Sequence, residues 1–192
     1  MALCFLPHGP ALRNLALNND NKIAIARAGG IAPLVKLVES GSDGQKEAAA
    51  GALLSLAANN DNKIAIARAG GIAPLVKLVE SGSDVQKEWA AGALWNLAEN
   101  KDNRIAIARA GGIAPLVKLV ESGSDVQKER AAEALWNLAA NNNDNRIAIA
   151  RAGGIAPLVK LVESGSSRAS SMCCPCLMRL ILVAYLRSPA FR

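Results

Sequence analysis

The sequence predicts an all-α fold, a solenoid of stacked three-helix repeats, and three observations predict it. The first is recurrence. The segment NKIAIARAGGIAPLVKLVESGSD occupies residues 21–43, returns unchanged at 62–84, returns with Lys replaced by Arg at 103–125, and begins again at Asn145. The matching isoleucines Ile23, Ile64, Ile105 and Ile147 stand 41, 41 and 42 residues apart. A period near 40 belongs to helical arrays, in which one unit cannot bury its own apolar face and stacks on the next. The second observation is composition: 51% of the 192 residues are hydrophobic but only 3% are aromatic, so the core is built from Ala, Leu, Ile and Val. The third is punctuation, a double glycine and a Ser-Gly at fixed places in every copy.

Within a unit the elements follow in order. Asp61 offers an N-cap to a short first helix over Lys63–Ala69, and Gly70-Gly71 ends it, since glycine accepts the left-handed conformation common just past a helix. Ile72, Leu75, Val76, Leu78 and Val79 form an apolar stripe at helical spacing, with Pro74 confined to the first turn of this second helix. It stops at Ser81-Gly82. Ser83 or Asp84 then caps a longer third helix reaching about Glu99, whose Ala90, Ala91, Leu94 and Leu97 supply a small-residue face for close packing. The chain divides accordingly into a leader and partial third helix (1–17), repeats over 18–58, 59–99 and 100–141, and a degenerate repeat with a divergent tail (142–192).

Charge and cysteine usage bound the function. The net charge is +6, but residues 166–192 carry Arg168, Arg179, Arg187 and Arg192 without an acid, leaving 18 bases against 16 acids in the rest. A body so near neutrality lacks the phosphate attraction that nucleic-acid binding requires. Three of the four cysteines (Cys173, Cys174, Cys176) lie in the tail and Cys4 in the leader, so no disulfide framework spans the repeats. A reducing compartment is expected, the cytoplasm first and the nucleus second. The start, broken by Pro7 and Pro10, does not read as a secretory signal. Catalysis is not expected. The single histidine, His8, stands in the leader, no nucleophile and base recur, and the double glycines are helix turns rather than phosphate loops. No cofactor, metal or small-molecule substrate is implied.

The copies differ from one another in an ordered way. Their first two helices are almost invariant, whereas the third differs at Gly44/Val85/Val126, Ala48/Trp89/Arg130, Gly51/Gly92/Glu133, Leu54/Trp95/Trp136 and Ser55/Asn96/Asn137. Four of these five sites are spaced i, i+4, i+7, i+11 and fall within about 60° on one helix face. A fixed frame with one diversified stripe is what ligand tuning produces; drift on a solvated face gives the same pattern.

The spacing of Asn62, Ile66, Gly70, Ile72 and Leu75-Val76, followed by AAGALWNLA at 90–98, resembles the armadillo repeat family over roughly residues 11–165. The AAGAL-x-NLA ending is more similar to the catenin, plakophilin and plant or fungal branch than to the nuclear-import adaptors. The resemblance implies a right-handed α-solenoid whose third helices line a concave groove, with an asparagine near the end of each binding the main chain of an extended peptide. Carried over by position, that ladder is Asn14, Asn96 and Asn137, with Ser55 replacing the second rung. An amide suits the task because it offers both donor and acceptor to a strand-like chain without reading its sequence; the bland reading is that these asparagines are solvated or cap a loop. Import adaptors carry a tryptophan four residues before each asparagine, where this chain has Pro10, Gly51, Gly92 and Glu133, so a basic nuclear-localisation peptide is not the expected ligand. Trp89 is expected to form an aromatic floor beside Arg130, Arg130 and Glu133 to pair at i, i+3, and Trp95 and Trp136 to pack between repeats.

The implied role is a scaffold for protein partners, the peptide-binding groove comprising Asn14, Ser55, Trp89, Asn96, Arg130, Glu133 and Asn137. The alternatives are a structural segment of a longer solenoid, or a scaffold tethered to membrane through lipidated tail cysteines. Laying Ser166 on Ser124 places Cys173, Cys174 and Cys176 over Ala131, Ala132 and Ala134, as a degenerate capping helix would, with Pro175 delaying its start. A disordered tail is the competing reading. The C-x-x-C at Cys173–Cys176 lacks the strand-to-helix setting of a redox motif and the further ligands of a zinc site.

Overall fold

A computed structural model of the chain describes residues 8–164. It consists of twelve α-helices, and no strand occurs among the described residues. They run α1 (His8–Leu15), α2 (Asn19–Arg27), α3 (Ile31–Ser40), α4 (Asp43–Leu56), α5 (Asn60–Arg68), α6 (Ile72–Ser81), α7 (Asp84–Leu97), α8 (Lys101–Arg109), α9 (Ile113–Ser122), α10 (Asp125–Ala139), α11 (Asn143–Arg151) and α12 (Ile155–Glu163). Three repeats are complete, α2–α4, α5–α7 and α8–α10. The expected capping helix, the cysteine cluster and Cys4 lie outside the described residues.

The first helix starts earlier than Asp61 suggests. Asn59 is its N-cap: extended backbone there lets Oδ1 accept from the N–H groups of Asp61 and Asn62, and Asp61 sits in the first turn, where its charge favours the positive helix end. Gly70 follows at φ +79°, the left-handed residue that ends the helix. Gly71 is there for room, since a Cβ would stand 2.8 Å from Ile66 Cγ2 and 3.1 Å from Val35 Cγ2 of the preceding repeat. The third helix opens on Ser83, with Gln86 completing a capping box, and ends at Leu97 rather than Glu99.

Burial makes the array. The stripe Ile72, Leu75, Val76, Leu78 and Val79 is buried, as are Ala90, Ala91, Leu94 and Leu97, and their counterparts in the next repeat repeat the pattern. Alanines on α4, α7 and α10 let these helices pack side by side. Polar staples hold each repeat to the one before. Asn103 is buried, and its Nδ2 donates to Lys63 O (3.2 Å) on the preceding first helix and to Leu97 O (3.1 Å) at the end of α7. Asn62 does the same to Lys22 O and Leu56 O. Gln86 and Gln127 reach Asp43 O and Asp84 O from one third helix to the last.

The Lys-to-Arg change between copies lies in this frame. Lys63 is buried and bonds Asn60 and the Glu99 carboxylate. Arg104, its counterpart, spreads over the carbonyls of Ala98, Glu99 and Ala140, the negative ends of α7 and α10. The extra residue of the last interval is absorbed at the end of α10. That helix runs to 15 residues where α4 and α7 have 14, and Asn141 takes φ +54°, a conformation its short side chain tolerates.

Candidate binding groove on the third helices

Helices α1, α4, α7 and α10 lie side by side as one layer. At 100° per residue, Trp89, Gly92 and Asn96 project within about 60° of each other and roughly opposite Leu94, which points into the core. The positions that differ between copies are therefore gathered on one surface, and the side chains there touch across repeats.

Glycine organises those contacts. Gly51 lies beneath Arg13, where a Cβ would stand 3.2 Å from Arg13 Cδ and 3.9 Å from the Trp89 ring. With no side chain between them, the Arg13 guanidinium of α1 lies over the Trp89 indole of α7, 4.1 Å from the ring centre. Leu54, Gly92 and Arg130 repeat the arrangement one unit further on, Arg130 Cδ and Leu54 both standing over Gly92. Arg130 covers Trp95 at 5.3 Å and pairs with Glu133 at 3.6 Å. The i, i+3 ion pair is as the sequence suggests, but the partner of Trp89 is not. That indole is covered by Arg13, and Arg130 is over Trp95, which thereby joins the groove surface while packing on the core.

The expected ladder has rungs of different kinds. Asn96, half-buried, donates Nδ2 to Leu54 O (3.1 Å); Asn137 donates Nδ2 to Trp95 O (3.0 Å) and is only 8% exposed. Both amides thus tie one third helix to the previous one. What Asn96 can still offer a ligand is its second Nδ2 proton and its carbonyl oxygen. Ser55 turns back onto Gly51 O (3.2 Å) within its own helix, and Asn14 is exposed on α1. The surface so built carries the indoles of Trp89 and Trp95, each with a guanidinium over it, and the accessible amides of Asn14 and Asn96. It can hold an extended chain by packing and main-chain bonds. Among the described residues there is no group of three metal-ligating side chains, and no helix is long and apolar enough to cross a membrane.

Sequence reasoning missed Arg13 and the role of Gly51. The available signal was a glycine inside a long helix, which costs about 1 kcal/mol relative to alanine and calls for a neighbour that uses the space. A cleft between repeats, lined by Val38, Asp43, Lys46, Pro74, Lys77 and Gln86, recurs beside Val120, Asp125, Lys128, Pro157 and Lys160. Its lining is the same in both copies, as a by-product of stacking would be.

Such an array of stapled three-helix units with a single variable face defines a tandem helical-repeat protein. Residues 18–58, 59–99, 100–140 and 142–177 match the armadillo/beta-catenin-like repeat model, and the chain belongs to the armadillo repeat family. It is similar to an engineered protein of known crystal structure (33% identity, 92% of this chain and 69% of that one, TM-score 0.77). It is also similar to a computationally designed armadillo repeat protein for modular peptide recognition (30%, 91% and 72%, 0.75) and to a designed armadillo repeat protein solved in complex with the peptide (KR)4 (29%, 91% and 72%, 0.75). A comparison with curated proteins found no match.

Proposed function

We propose that this chain is a non-enzymatic scaffold that holds an extended segment of a partner protein in the trough on its third helices, closer in kind to the catenin and plakophilin branch than to import adaptors. The observation that carries the reading is the convergence of the variable positions on one surface, where Trp89, Trp95, Asn96 and Arg130 gather while the stapled frame beneath stays constant. Two of the designed relatives are described as peptide binders, which supports the same use of the layer here. Glu133 at the place where import adaptors carry tryptophan supports the distinction from them. The cytoplasm is the proposed location, from the cysteine distribution.

The test is affinity capture with the full chain, followed by titration of the captured partner segment against variants. Trp89→Ala removes an indole wall and should weaken binding by about 2 kcal/mol or more; Asn96→Ala removes one hydrogen bond and should cost about 0.5–1.5 kcal/mol. Asn137→Ala should act mainly on stability, because that amide is buried against Trp95 O. An affinity indifferent to both Trp89→Ala and Asn96→Ala sinks the groove reading and moves the binding face to the first and second helices.

A further inference from the structure

The two stacked arginines of the trough are not equivalent, and the difference names a ligand chemistry. Arg130 is compensated by Glu133 at 3.6 Å. Arg13 has no carboxylate within ion-pair distance among the described residues, although it is half-buried with its Cζ over an indole, 4.1 Å from the ring centre. A guanidinium over a ring face spends none of its N–H donors on the ring, and they can make a two-pronged bond to a carboxylate. Immobilisation of the Arg13 stem between the Trp89 face and the Gly51 backbone lowers the entropy lost when such a bond forms. We propose that Arg13, stacked on Trp89 above Gly51, is a carboxylate-reading subsite that receives an Asp or Glu side chain of a peptide bound in the trough.

This rests on the groove reading and adds the identity of one ligand residue. The subsite joins α1, α4 and α7, with the Asn96 amide within the same span to hold the main chain. Glu47, Glu88 and Glu129 recur once per repeat, half-buried on the same helices, and make the opposite demand on a ligand. The subsite therefore competes with a basic-peptide preference such as the (KR)4 ligand of the designed relative, and the two are separable.

The experiment titrates the full chain with two fluorescein-labelled peptides of equal length, (Glu-Ala)4 and (Lys-Arg)4, by anisotropy at low and physiological salt, following Trp emission in parallel. Expected are tighter binding of (Glu-Ala)4, weakening with salt, and at least about a tenfold loss in Arg13→Gln, the scale of one charge-assisted bidentate contact. Arg13→Lys should recover only part of that loss, because an ammonium cannot stack or fork. Gly51→Leu, which fills the space under the Arg13 stem, should mimic Arg13→Gln. Circular dichroism and urea midpoints confirm that the variants fold. If (Glu-Ala)4 or (Lys-Arg)4 binds with sensitivity to Asn96→Ala but not to Arg13→Gln, the carboxylate subsite is overturned and the groove stands. If both peptides ignore Asn96→Ala and Trp89→Ala, or neither binds, the groove reading fails and the subsite with it.

Discussion

Replacing Asn103 by Ala isolates the polar staple between repeats. The side chain is buried, and its Nδ2 holds two carbonyls at once, Lys63 O and Leu97 O. Alanine takes the amide donor away from both carbonyls, leaving Leu97 O only the Asn100 N–H. At about 0.5–1.5 kcal/mol net for each of the two neutral bonds, the loss is about 1–3 kcal/mol, offset by about 0.5 kcal/mol from the better helix propensity of alanine. Asn21 is the internal control. It occupies the same place in the motif but is half-buried and bonds only Leu15 O, the local carbonyl. Asn21→Ala should therefore cost about 1 kcal/mol, and the difference between the two variants measures the extra bond to the first helix of the preceding repeat. Urea unfolding followed by far-UV circular dichroism gives both numbers, with m-values expected to match the parent. Equal losses at Asn103 and Asn21 would refute the claim that the bond from Asn103 to Lys63 O carries coupling between repeats.

Two further predictions concern the frame. Leu94→Ala opens a cavity at a fully buried site and should cost about 2–5 kcal/mol in the same melts, well above Leu12→Ala on partly exposed α1; equal losses argue against nearest-neighbour stacking. Asn141→Gly should be neutral or stabilising by up to about 1 kcal/mol, and Asn141→Val destabilising by about 1–2 kcal/mol, because only the former accepts φ +54° freely; the reverse order of midpoints disproves the role assigned to that residue.

Much of this was legible in the sequence because repetition multiplies weak signals. One Gly-Gly pair is ambiguous, but four at a common interval define turns, and the stripe Ile72 to Val79 then has a fixed direction. The start of the first helix was misplaced because two candidate caps, Asn59 and Asp61, stand two residues apart, and only backbone geometry chooses between them. The variable stripe was legible from helical periodicity alone. Its contacts were not. Periodicity tells which residues share a face of one helix, whereas Arg13 and Trp89 meet across an intervening helix through the absence of a side chain at Gly51. The asparagines show the same limit. Their amides can bond a guest or the neighbouring helix, and stacking distance decided in favour of the neighbour for Nδ2 of Asn96 and Asn137.

The staples have a consequence for how the chain reaches its native order. Asn62 grips Lys22 O and Leu56 O, and Asn103 grips Lys63 O and Leu97 O, with the same atoms and nearly the same neighbours. An interface of that kind carries no address. During folding, the face that α8 and α9 present to repeat two fits repeat one as well, so a unit that skips its neighbour meets a surface it cannot tell from the correct one. The marks that distinguish the units are the five variable sites of the third helix, Lys63 against Arg104, Glu99 where Ala140 stands in the next copy, and the extra step at Asn141. Among these identical couplings, the same side chains that diversify the trough are also what lets each unit recognise its place in line.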